Sequence, residues 1–188
     1  MARRYSRAMV RDQSPNAALP LLWLLSDARN DAALETAIAR LPAGSGFVFR
    51  HYHLPQEARA ARFASVLPLL RAGQHWAIVS ASHDIAAQWG ADGVYGPFRR
   101  MPPAGMKWIA TAHDEDELVA ADRGAADAVM LSPVFPTRSH PRGEVLGIDE
   151  FHRLARACAT PVIALGGMTA ERARKLEWPR WAAIDGLS

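Results

Sequence analysis

From residue 21 onward, short apolar runs rich in β-branched and aromatic residues alternate with Ala-, Leu- and Arg-rich stretches at helical spacing. That alternation is the pattern of βα units arranged around a parallel sheet. Eight runs read as strands: residues 21–26, 46–50, 76–80, 93–95, 107–111, 128–132, 161–165 and 182–184. Parallel strands covered on both faces should be continuously apolar, as Ala128-Val129-Met130-Leu131 and Val162-Ile163-Ala164-Leu165 are. Helices are expected over residues 32–41, 56–71, 84–89, 149–159 and 170–176. A further helix ends near Arg123 and opens at Asp114-Glu115-Asp116-Glu117, with Asp114 as N-cap and Glu117 three positions on. The stretch from Gly96 to Pro103 holds three prolines and reads as loop.

Eight strands interleaved with helices predict a (β/α)8 TIM barrel. The sequence stops just after the eighth strand, so the barrel is abbreviated, its final helix missing. Such barrels usually run to about 250 residues, which leaves an open doubly wound sheet as the alternative. With 188 residues, 49% of them apolar, the chain can bury one core. It divides into a disordered or extended tail, residues 1–18, and a single barrel domain, residues 19–188.

Charge narrows the function classes. The net charge is +3, and Arg3, Arg4, Arg7 and Arg11 concentrate the excess in the tail. No basic stripe marks the remainder, so nucleic acid is not an expected partner. The longest apolar run, residues 19–25, is broken by Pro20 and falls far short of the roughly 20 residues needed to cross a bilayer. A single cysteine, Cys158, rules out a disulfide frame or a cysteine zinc site and suits a reducing cytoplasm. His51 and His53 alternate in a way that permits metal ligation, but without a visible third ligand they read as a solvated loop. The six tryptophans are expected in the core or against helices. Without a closing helix Trp178 and Trp181 would expose apolar surface, which points to a homodimer.

In a barrel, chemistry gathers at the C-terminal ends of the strands. Three such ends are rich in suitable groups. The seventh strand ends in Gly166-Gly167-Met168-Thr169, where glycines permit close backbone approach and amide hydrogens can face an anion; the competing reading is a tight turn capped by Thr169. After the sixth strand comes a loop from Ser132 to Gly143 that carries Thr137, Arg138, Ser139, His140 and Arg142. It reads either as a lid over phosphate oxygens or as a surface loop stiffened by proline. Thr111-Ala112-His113 ends the fifth strand. If Thr111 looks inward, His113 overhangs the mouth and can move protons near neutral pH; otherwise it is structural.

The stretch Leu131-Ser132-Pro133-Val134-Phe135-Pro136-Thr137-Arg138-Ser139-His140-Pro141, followed about twenty residues later by Pro161-Val162-Ile163-Ala164-Leu165-Gly166-Gly167-Met168-Thr169, resembles the thiamine-phosphate synthase and thiazole tautomerase (TenI-like) superfamily. Weaker similarity appears at Leu25-Ser26-Asp27, at Gly90-Ala91-Asp92-Gly93-Val94 and at Thr111-Ala112-His113. The resemblance implies a barrel that takes small phosphorylated thiazole and pyrimidine metabolites. In the synthases a pyrimidine diphosphate ionises, Mg²⁺ holds the departing diphosphate and the thiazole nitrogen captures the cation. In the tautomerases a His after the fifth strand moves protons without a metal, so Mg²⁺ is expected only with the condensation.

Carried over by motif, Gly166, Gly167, Thr137, Ser139, His140 and Ser80 would bind phosphate, and His113 and Arg50 would be catalytic. Of the synthases' Gln-x-Arg-x-Lys only Arg50 is kept, between Val48 and Tyr52. Ser80-Ala81 stands where they carry Asn-Asp, no acid lies between Tyr95 and Arg100, His140 replaces a lysine and Asp185 a hydroxyl residue. No metal-ligand set is therefore expected. Three readings stay open: the condensation, a metal-independent tautomerisation through His113, and a non-catalytic barrel that binds a phosphometabolite.

Overall fold

The computed structural model describes residues 19–97, 102–139 and 144–187. The expected tail, residues 1–18, lies outside the described residues, as do Arg99, Arg100, His140, Arg142 and Gly143 of the candidate loops. The strands are β1 Leu22–Leu25, β2 Gly46–Phe49, β3 Trp76–Val79, β4 Gly93–Tyr95, β5 Lys107–Ala112, β6 Ala128–Leu131, β7 Val162–Ala164 and β8 Trp181–Ala183. The helices are α1 Leu34–Ala39, α2 Gln56–Ala72, α3 His83–Gln88, α4 Glu115–Arg123, α5 Gly147–Ala157 and α6 Ala170–Leu176. A helical turn, Asp31–Ala33, precedes α1. Among the described residues no helix lies between β4 and β5 or after β8.

All eight strands are parallel and form one closed ring. Closure comes from β8 pairing with β1, Trp23 opposite Ala182 and Leu24 opposite Ala183, which excludes the open-sheet alternative. Ser26, Ser80 and Ser132 fall one residue beyond their strands. Each still donates its N–H to the neighbouring strand, to Val48, Phe49 and Ala112 respectively, so these serines form the rim of the barrel.

The period-2 alternation of the strands splits the core into two shells. Trp23, Leu25, Val48, Ile78, Ile109, Met130 and Ile163 fill the interior. Leu24, Phe47, Phe49, Ala110, Val129 and Val162 face outward against the helices. The indole of Trp23 fits inside because β2 begins with glycine: a Cβ on Gly46 would lie 2.1 Å from the ring. The indole N–H donates to Pro20 O at 2.9 Å, satisfying its polar atom in the dry interior. Outside, α2 presents Phe63, Val66 and Leu70, and α5 presents Phe151, Leu154 and Ala155.

Trp178 departs from expectation. It is 9% exposed, donates its indole N–H to Val162 O and meets the rings of Phe151 and His152 edge-on at 5.3 and 5.6 Å. The chain covers this residue itself, and Trp181 is half-buried at the start of β8. The apolar surface that pointed to a homodimer is therefore largely absent. Cys158 is buried, and burial, with the Asp122 carboxylate beside it, pushes its thiol up to about 12, which makes it an inert packing group.

Candidate functional site

The loops at the C-terminal ends of the strands surround a cavity of about 820 Å³. Its wall includes Gly166, Gly167, Thr137, Ser139, Arg50 and His113, so the structure brings together six of the residues singled out in the sequence. Gly166 and Gly167 take φ values of +97° and +61°, the left-handed region that other residues avoid. They also sit against the loop after β6: a Cβ on Gly166 would lie 2.5 Å from Pro133 Cα, and one on Gly167 2.4 Å from Pro136 O. Two bonds fix this contact, Val134 N–H to Leu165 O and Phe135 N–H to Gly166 O, at 2.9 and 3.1 Å. Among the described residues no acceptor meets the N–H of Gly166 or Gly167. Thr169 is also the N-cap of α6, its Oγ1 accepting from Arg172 N–H, so the tight-turn reading holds as well. Thr137 Oγ1 accepts from Ser139 N–H at 3.3 Å, and both residues line the cavity.

His113 joins this cavity to a second one of about 660 Å³, walled by Tyr52, Ser80, Ala81, Ser82, Tyr95, Trp108 and Thr111. Tyr95 lines both as well. Thr111 shares the inward face of β5 with Ile109, as expected, and His113 follows two residues later at the rim. Its imidazole Nδ1 lies 2.9 Å from Glu117 Oε2, and the same oxygen accepts the backbone N–H of His113 at 2.7 Å. Glu117 in turn gives its own N–H to Asp114 Oδ1, so the capping residues foreseen at the start of α4 also hold the imidazole. With Nδ1–H on Glu117, Nε2 is the nitrogen left for chemistry. Ser80 opens onto the second cavity and bonds the Tyr52 hydroxyl at 2.8 Å, away from the glycine turn.

The rim between β1, β2 and β8 is an alternation of charges. Arg50 Nη2 donates to Asp27 Oδ2 at 2.8 Å, and its guanidinium lies over the Tyr52 ring. Its Nε is buried without a partner. Arg29 donates from Nε to Asp27, from Nη1 to Asp185 Oδ2 and from Nη2 to Ser139 Oγ, at 3.0, 2.9 and 3.0 Å. Burial alone would raise Asp27, but hydrogen bonds from Arg29 and the charges of Arg29 and Arg50 outweigh it and hold the carboxyl below its ordinary range. Burial pushes the Tyr95 hydroxyl up to about 12, against the pull of Arg50, so it stays a neutral donor.

His51 is not in a solvated loop. It is wholly buried at φ +37°, stacked on Phe49 at 4.5 Å, with Nδ1 on Ser26 Oγ at 2.7 Å and Nε2 on Asp31 Oδ1 at 2.8 Å. Asp31, from the preceding loop, completes with His51 and His53 a set whose ligand atoms lie within 4.8 Å of one another. Arg62 already neutralises that carboxylate at 2.7 Å, so Asp31 and His51 are satisfied by hydrogen bonds without an ion. Neither Arg29 nor Asp31 stood out in the sequence, because most of their partners, Ser139 and Asp185 for one and His51 and Arg62 for the other, lie 20 to 156 positions further along; the local hint was their position just after a strand.

The chain matches the profile of the thiamine monophosphate synthase family over residues 22–178. It is 29% identical over 164 residues to a putative thiamine-phosphate synthase 2 from Aquifex aeolicus, covering 82% of this chain and 88% of the relative. A thiamine-phosphate synthase from Methanocella arvoryzae is 34% identical over 120 residues, 59% of this chain and 55% of that one. In three dimensions a thiamine phosphate pyrophosphorylase from Pyrococcus furiosus superposes with a TM-score of 0.74 at 23% identity, over 90% of this chain and 88% of the other, which bears on the fold. No described helix is long and apolar enough to cross a membrane. On the extent of the profile match, the chain belongs to the thiamine monophosphate synthase family, whose named members are enzymes of thiamine biosynthesis.

Proposed function

We propose that the chain binds a thiazole phosphate and joins it to a pyrimidine diphosphate to give thiamine phosphate. The observation that carries this reading is the pair of adjoining cavities, about 820 and 660 Å³, which share Tyr95 and His113 as two substrate halves would require. The thiazole phosphate lies in the larger cavity, its phosphate against the Gly166 and Gly167 amides and the Thr137 and Ser139 hydroxyls. The pyrimidine lies in the smaller one, near Ser80. The C–O bond to diphosphate breaks, the leaving group takes the electron pair, and the thiazole nitrogen supplies the pair for the new C–N bond. Holding both reactants in one closed space is the main contribution such a site makes.

Mg²⁺ ordinarily holds the departing diphosphate in this reaction and is bound by one or two carboxylates. The described wall of the second cavity carries no Asp or Glu. These residues do not fit the ion, and the charge of the leaving group falls instead to Arg50, which lines the adjoining larger cavity with its guanidinium over the Tyr52 ring.

That same wall favours a second reading, metal-independent isomerisation of a thiazole carboxylate phosphate. There His113, oriented through Nδ1 by Glu117, takes a proton at Nε2 from one ring position and returns it to another. One experiment separates the readings. The untagged chain is given hydroxyethylthiazole phosphate and hydroxymethylpyrimidine diphosphate with and without Mg²⁺, and separately the thiazole carboxylate phosphate. Thiamine phosphate formed in the first mixture establishes the condensation. Isomerisation alone, abolished by His113→Gln, establishes the second, and ligand binding with no turnover in either leaves a phosphometabolite-binding barrel.

A further inference from the structure

We propose that Arg172 is a phosphate-binding residue, its guanidinium clamped beside the Gly166-Gly167 turn as a fixed positive charge for a phosphate monoester. The proposal rests on the reading of that turn as the place of the phosphate.

Arg172 lies in the first turn of α6, in a stretch whose Ala and Arg content suggests only a solvated helix face. In the structure it is half-buried and lines the larger cavity together with both glycines. Two contacts fix it there. Nη1 donates to Gly167 O, and a Cβ on Gly167 would lie 2.9 Å from that same nitrogen. The guanidinium also lies over the Phe135 ring, 5.2 Å from its centroid, and the Phe135 N–H is itself bonded to Gly166 O. A carbonyl and an aromatic face hold a guanidinium in place without neutralising it. The other arginines on this cavity differ: Arg29 and Arg50 are paired with carboxylates, and Arg138 is exposed. Gly167 O uses one N–H of the Arg172 fork, and among the described residues the others meet no acceptor. A phosphate oxygen at the turn can therefore take charge-assisted hydrogen bonds from this fork with no ion pair broken first. Because the side chain is already held on two sides, little of its freedom is lost on binding.

The test is calorimetric titration of hydroxyethylthiazole phosphate, and of inorganic phosphate, into the full chain and its Arg172→Gln and Arg172→Lys forms at low and high salt, with melting curves to confirm folding. Arg172→Gln is expected to bind about ten- to a hundredfold more weakly at low salt, and the gap to narrow as salt is raised. Arg172→Lys, which keeps the charge but not the planar fork, is expected to recover part of the loss. If Arg172→Gln binds as tightly as the unsubstituted chain, the role of Arg172 is disproved while the phosphate site stands. A loss of the same size at every salt concentration, not recovered by lysine, also overturns the proposal, since it would mark Arg172 as a mere brace for the turn. If the unsubstituted chain binds neither probe at millimolar concentration, the phosphate reading fails and takes this inference with it. Should Arg172→Gln not fold, Arg172→Lys decides alone: about three- to tenfold weaker binding is expected, and unchanged affinity refutes the role of the fork.

Discussion

A side chain at Gly166 has no room, since its first carbon would press on the backbone of Pro133 at 2.5 Å while the φ of +97° penalises any L-residue. Gly166→Ala is accordingly expected to cost about 2 kcal/mol or more in urea unfolding and to lose thiazole phosphate binding; an unchanged midpoint would contradict the geometry. His51 gives a pH prediction. Burial holds its pKa below the ordinary 6.5 in spite of Asp31, and burial lowers His75 in the same way. Between that lowered value and 6.5 the folded chain binds fewer protons than the unfolded one, so stability is present above the window and is lost as pH falls through it. The melting temperature should drop between about pH 7 and pH 5, and His51→Asn should flatten the drop; a melting temperature that rises on acidification would refute this sign. The glycine pair was legible in the sequence because a positive φ is a local demand that only the residue itself can meet. His51 was misread, and Arg29 overlooked, because burial and pairing across 156 positions leave no local trace.

Every helix the sequence suggested is present, with ends displaced by up to two residues, because apolar spacing registers which face is covered but not where the last turn frays. The ties between elements are less visible. Asp122, near the end of α4, accepts the N–H groups of Ala159 and Thr160 at 3.0 and 2.7 Å and so anchors the turn leading into β7. Its carboxyl stays below its ordinary range even though burial alone would raise it, because these bonds stabilise the charge. Asp122→Ala leaves two backbone donors without their acceptor and is expected to cost roughly 2–3 kcal/mol, measured by chemical denaturation. Asp122→Asn, which keeps one acceptor oxygen, should cost less. A loss no larger than that of an ordinary surface substitution would mean that water replaces the carboxylate fully.

For the whole molecule, the closed ring was legible from eight apolar runs, whereas the fit that fills its interior was not. Trp23 on β1 and Gly46 on β2 are cross-strand partners, and the missing side chain of one is the space for the indole of the other. Periodicity marks both positions as strand and says nothing of this complementarity. Trp23→Ala is expected to lower stability by about 3–5 kcal/mol, seen as an earlier urea midpoint, because a sealed interior collapses poorly around a lost ring. The single carboxylate of Glu117 has a consequence of its own. It faces water at the first turn of a nine-residue helix, a place where chains loosen before they melt. On the reading in which His113 moves the proton, warming the protein should let the imidazole wander while the barrel is still intact, and isomerisation should fade several degrees ahead of the loss of circular dichroism. Heat would then silence that activity before it unfolded the chain.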